Sequence, residues 1–150
     1  MKGLLVHPSA TMRRVFAGAL KDAGCDEVIE ATDPCLALEQ CDQTIGLVIT
    51  EWSRRGTEAL DLTKGIRARN DCEATRILVV SARDTRDDVN EAIQAGINGY
   101  ILKPFTEETL RRKIGELAET ADRGPAEGDD TAAVDSAQEA PATPAVESRE

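Results

Sequence analysis

Leu47-Val48-Ile49-Thr50-Glu51-Trp52 is a short apolar run that carries a single carboxylate at its carboxyl end. Three other stretches share that form. Leu4-Leu5-Val6 runs into His7-Pro8, Ile77-Leu78-Val79-Val80 into Ser81-Ala82, and Gly99-Tyr100-Ile101-Leu102 into Lys103-Pro104. The runs are apolar without alternation, as strands buried on both faces of a sheet are. Each delivers a polar group to the same end, which points to a site at the carboxyl edge of a parallel sheet.

Helical patterns separate these runs. Met12, Val15, Phe16, Ala19, Leu20 and Ala23 fall on one helical face behind a Ser9 cap, and Gly24 stops the helix. Glu27 to Ala31 reads as a second strand. Asp33-Pro34 opens a short helix with a cap and a proline at its first position, with Leu36 and Leu38 on its buried face. A third helix runs from about Thr57 to Arg69, with Ala59, Leu62 and Ile66 inward. Asp84 or Thr85 caps a fourth, which turns Val89, Ala92 and Ile93 to the core and ends at Gly96. Thr106 caps a fifth, with Leu110, Ile114 and Leu117 as its apolar face and two acids in the first turn, where the helix dipole favours them.

Five strands alternating with five helices predict a three-layer α/β/α sandwich around a parallel sheet with right-handed crossovers. For so short a chain the flavodoxin-like strand order 2-1-3-4-5 is the expected solution, with the ligand crevice at the switch between strands 1 and 3. That rule brings His7 and Pro8 beside Glu51, with Ser81 and Lys103 on the next strands across.

Composition excludes several function classes. Of 150 residues, 3% are aromatic, too few for stacking platforms that hold single-stranded nucleic acid or a flavin ring. A net charge of −10 disfavours a phosphate-backbone binder. No apolar run approaches the roughly 18 residues that span a bilayer, and no signal peptide leads the chain, so a cytoplasmic location is expected. Cys25, Cys35, Cys41 and Cys72 form no C-x-x-C pair and have one histidine for company, so they read as reduced thiols, with Cys41 near the exposed end of its helix. Residues 122–150 hold eight acids against two arginines, three prolines and almost no large apolar side chains. They are expected to form a disordered acidic tail after a domain spanning 1–121.

Several of these stretches together resemble the receiver domains of two-component response regulators, the CheY-like family. The resemblance spans about residues 3–118. It is carried by Ser9-Ala10-Thr11-Met12-Arg13-Arg14, Val48-Ile49-Thr50-Glu51-Trp52, Val80-Ser81-Ala82 and the long block from Ala95 to Thr106. It implies a phosphoryl group received from a histidine kinase on an aspartate after strand 3, with magnesium held by an acid pair after strand 1. It further implies that Ser81 and Lys103 contact the phosphoryl oxygens and that Tyr100 moves inward on activation. The partner surface would be helix 4, strand 5 and helix 5, facing a histidine kinase or a chemotaxis-type target. The bond between Lys103 and Pro104 is expected to be cis, as is typical of the family.

Three departures from that pattern stand out. Glu51 occupies the aspartate position, His7 and Pro8 occupy the acid-pair positions, and the loop after strand 3 reads Ser53-Arg54-Arg55-Gly56. Magnesium takes hard oxygen ligands, which proline lacks and imidazole replaces poorly. Glu51 faces Lys103 and, on this reading, Arg54, Arg55 and Arg83, so a dication gains little. Its carboxylate also reaches about 1.5 Å beyond an aspartate's, and in-line transfer tolerates little misplacement. The expectation is therefore a non-enzymatic pseudo-receiver without magnesium, in which Glu51 hydrogen-bonds Ser81 and Lys103 as a partial phosphomimic. The alternatives are a receiver phosphorylated by unusual chemistry or at another residue, and, more remotely, an electron carrier of the flavodoxin type.

Overall fold

The computed structural model describes residues 1–53, 56–69, 71–122 and 134–135, with 120–122 and 134–135 described by backbone alone. The elements in chain order are β1 (Lys2–Val6), α1 (Ala10–Asp22), β2 (Glu27–Ala31), α2 (Pro34–Gln40), β3 (Ile45–Trp52), α3 (Glu58–Arg67), β4 (Arg76–Ser81), α4 (Arg86–Ala95), β5 (Gly99–Leu102), α5 (Glu107–Asp122) and β6 (Val134–Asp135). The first five strands pair in parallel in the order 2-1-3-4-5, as expected. The two-residue β6 adds itself in parallel to the outer side of β5, opposite Tyr100 and Ile101. An edge strand presents unpaired backbone groups that such a segment can satisfy. Apart from Asp122 and this pair, the expected acidic tail lies outside the described residues.

The helix ends follow their local chemistry. The Ser9 hydroxyl accepts from the Met12 amide at 3.3 Å, Asp33 from Leu36 at 3.0 Å and Thr85 from Asp88 at 3.1 Å. Each satisfies a first-turn amide that the helix itself leaves unbonded. Gly96 closes α4 at φ +113°, a backbone region that side chains resist.

Two cores flank the sheet. Leu4, Val6, Val48, Trp52, Ile77, Val79 and Tyr100 pack on the side of α2 and α3, with Ala92 of α4. Leu5, Leu47, Ile49, Leu78, Val80 and Ile101 pack on the side of α1 and α5. Alternate residues of every central strand thus serve opposite faces, as the pleat requires.

β3 is eight residues long and keeps Glu51 and Trp52 in the ladder. Two local expectations differ from the structure. Leu36 is exposed, and Ala37 takes the buried place on α2, because a helix of seven residues has room for a narrow buried stripe only. Ile93 is half-buried rather than fully inward, and Ala92 alone of α4 is fully buried.

Candidate functional site

The carboxyl edge of the sheet gathers His7, Glu51, Ser81 and Lys103, but the pleat divides them. In β3 and β4, Glu51 sits opposite Val80, and Trp52 opposite Ser81. Residues paired in a parallel ladder point to the same face, and neighbours along a strand point to opposite ones. Ser81 therefore shares a face with Trp52 and Tyr100, while Glu51 projects on the α1 and α5 side.

On that side Glu51 is held at both oxygens. Lys103 Nζ meets Oε2, and His7 Nε2 meets Oε1. The carboxylate side chain keeps 20% of its exposure and the Lys103 side chain 32%. The Ser9 amide donates to His7 Nδ1 at 2.9 Å, so that nitrogen carries no proton. The ring's hydrogen therefore lies on Nε2, the nitrogen in contact with Glu51 Oε1. Burial pushes the His7 imidazole below its ordinary pKa; Glu51 pulls it back up, and Lys103 and Arg13 push it down. His7 is thus a neutral ring in contact with Glu51, edge-on to Phe16 at 5.8 Å. Arg13 fixes this loop from outside, donating to the His7 carbonyl at 2.9 Å and the Pro8 carbonyl at 3.1 Å, while pairing with Glu30 at 3.3 Å. Pro8 itself is exposed and offers no side-chain ligand. Lys103 precedes a cis bond to Pro104, as expected, and its amide donates to the Ser81 carbonyl at 2.8 Å.

On the other side, the Ser81 hydroxyl donates to the Trp52 carbonyl and accepts from the Arg83 amide, both at 2.9 Å. It makes no hydrogen bond to Glu51, contrary to expectation, because the register turns it away. Tyr100 is fully buried, and its hydroxyl donates to the Arg83 carbonyl at 2.7 Å. Burial raises its pKa, and the nearby Ser81 holds that rise back. Its ring meets that of Trp52 edge-on at 6.5 Å.

Arg83 does not face Glu51 as expected. Its guanidinium lies 4.2 Å from the ring centroid of Trp52 and donates to the carbonyls of Ser53 and Gly56, each at 2.9 Å. Arg54 and Arg55, also expected near Glu51, lie outside the described residues. The positioning roles of Arg13 and Arg83 were missed in the sequence, where a surface arginine looks the same whether it hangs in water or clamps a loop. The one signal was that Arg83 follows the β4 terminus at the edge where the other polar groups meet.

The four cysteines form no disulfide. Cys41 is buried, and its thiol is pushed up to about 12, chiefly by that burial and by the neighbouring Cys72, so the expected exposure near the end of α2 is not found. Cys35 is the exposed one. Among the described residues no helix is long and apolar enough to cross a membrane.

This arrangement has relatives. The family model for the response regulator receiver domain matches residues 4–115. The chain belongs to that family. Chemotaxis protein CheY-3 of Vibrio cholerae is 38% identical over 120 residues, covering 79% of this chain and 92% of the relative. Chemotaxis protein CheY of Pseudomonas aeruginosa is 37% identical over 120 residues, with 79% and 97% covered. Among solved structures, the chemotaxis response regulator CheY4 of Vibrio cholerae superposes with a TM-score of 0.67 at 25% identity, covering 77% of this chain and 97% of that one. The receiver domain of Francisella response regulator 1452 shares the fold, with a TM-score of 0.65 at 20% identity and 79% and 96% covered. This chain is therefore a CheY-like receiver of two-component signalling.

Proposed function

We propose that this receiver works as a protein-binding signalling module that is not phosphorylated at Glu51 and needs no magnesium. The observation that supports it is the closure of Glu51 between His7 and Lys103. Both carboxylate oxygens are engaged, so the group is poorly placed to attack a phosphoryl donor. The donor set speaks against magnesium on chemical grounds. His7 offers a protonated nitrogen, Pro8 offers no side-chain ligand, its carbonyl already takes an Arg13 hydrogen bond, and the one carboxylate is neutralised by Lys103.

Glu51 stands in for half of a phosphorylated site. It reaches Lys103, as a phosphoryl oxygen would, and it does not reach Ser81. The buried Tyr100 is the side-chain placement that the family associates with activation. On this reading the receiver is held in an active-like state and catalyses nothing. It contacts a histidine kinase or a chemotaxis-type target through α4, β5 and α5, where Val89 and Ile93 stay partly exposed.

Incubation with acetyl phosphate and magnesium, followed by intact-mass measurement, tests this. The expected spectrum is that of the unmodified chain. An added phosphoryl mass overturns the proposal, and mapping it to Glu51 or to another residue tells whether the pocket itself or a different site is the acceptor.

A further inference from the structure

We infer that Arg83, and not Glu51, fixes the buried placement of Tyr100, by clamping the loop after β4 onto the loop after β3. Tyr100, Ser81 and Trp52, which share one face, all meet at this residue. Its carbonyl accepts from the Tyr100 hydroxyl, and its amide donates to the Ser81 hydroxyl. Its guanidinium stacks on Trp52 and donates to the carbonyls of Ser53 and Gly56. The Gly56 carbonyl also accepts from the Trp52 indole at 2.9 Å, so the ring and the cation share one anchor. A further nitrogen of the fork lies 3.4 Å from Asp88, which ties the clamp to the first turn of α4.

The chemistry suits a permanent setting. Arginine stays charged at any working pH, and its planar fork holds several acceptors at once while its face lies on an aromatic ring. The side chain is 18% exposed, so these contacts are largely shielded from competing water. Glu51 has no such path to Tyr100. It lies on the opposite face of the sheet, and Ser81, the residue that would couple the two, is bonded to Trp52 and Arg83 instead. The clamp thus supplies from within the chain what Glu51 lacks. It stands whether or not Glu51 accepts a phosphoryl group.

The chain has one tryptophan and one tyrosine, so each is its own probe. Trp52 is read by acrylamide quenching of its fluorescence, and Tyr100 by the single fluorine resonance of the chain labelled with 3-fluorotyrosine. Arg83→Met keeps the apolar stem and removes the cation and the donors. It is expected to raise the quenching of Trp52 severalfold and to move the Tyr100 resonance toward its solvent-exposed position, with far-UV circular dichroism unchanged. Arg83→Lys keeps the cation and loses the fork, and is expected to fall between Met and the parent. Glu51→Gln is expected to leave both probes where they are. Parental quenching and resonance in Arg83→Met overturn the inference, as does a Glu51→Gln shift equal to that of Arg83→Met. Should Arg83→Met fail to fold, Arg83→Lys decides: intermediate values support the clamp and parental values overturn it.

Discussion

Shortening Glu51 by one carbon tests the geometry of its pocket most directly. In Glu51→Asp the carboxylate retreats by about 1.5 Å, one C–C bond. For an ion pair of ordinary length, about 3 Å, the separation from Lys103 Nζ grows to about 4.5 Å. At an effective dielectric of about 20 the attraction falls from about 5.5 to about 3.7 kcal/mol, a gross loss near 2 kcal/mol. Lys103 keeps 32% of its exposure, and its flexible stem can follow the shorter acid. Solvent screening and that adjustment reduce the net loss to about 1 kcal/mol. His7 cannot follow, because its Nδ1 is held by the Ser9 amide and its ring is buried. Its Nε2 loses the close approach of the carboxylate, at a cost of about 1 kcal/mol. Together these predict a destabilisation of about 2 kcal/mol, or a melting temperature lower by roughly 8 °C for a domain of this size. Calorimetry at low and high salt separates the two parts. The lysine part shrinks as salt screens it, and the histidine part does not. An aspartate variant as stable as the parent, or a difference that vanishes entirely in salt, would refute the picture of a carboxylate held from both sides.

His7 sets a pH dependence of known sign. Its folded pKa lies below the ordinary value, so in the window below about 6.5 the unfolded chain binds the extra proton. Stability is therefore complete above that pH and declines as pH falls through the window, and His7→Gln flattens the decline in melts taken across it. Thiol labelling of the native chain should modify Cys35 rapidly and leave Cys25, Cys41 and Cys72 protected, which mass mapping after a short iodoacetamide pulse reads directly. The Thr50 hydroxyl is buried with no hydrogen-bond partner among the described residues. Thr50→Val is accordingly expected to leave stability unchanged or raise it by about 1 kcal/mol, and a loss of similar size in chemical denaturation would mean that the hydroxyl is satisfied after all.

Much of this was legible in the chain itself. Unbroken apolar runs such as Leu47 to Ile49 and Ile77 to Val80 are too short for buried helices and suit strands covered on both faces, and the helical stripes between them leave a parallel sheet as the solution. The caps at Ser9, Asp33 and Thr85 were readable because capping is local: the side chain bonds an amide three residues on. The same locality put His7, Glu51, Ser81 and Lys103 at one sheet edge, since each directly ends or follows a strand. Leu36 misled because a short helix gives too few residues to fix which stripe is buried.

Which face of the sheet each group serves was settled only in three dimensions. A strand's side chains alternate with period two, so a one-residue difference in register sends a group to the other side. The pairing of Trp52 with Ser81, rather than Glu51 with Ser81, is a property of two strands together and is written in neither. It separates the carboxylate, with His7 and Lys103, from the serine, with Trp52 and Tyr100. It also leaves Arg83, whose charge alone would send it to Glu51, to be held instead by the indole face and the carbonyls of the neighbouring loop.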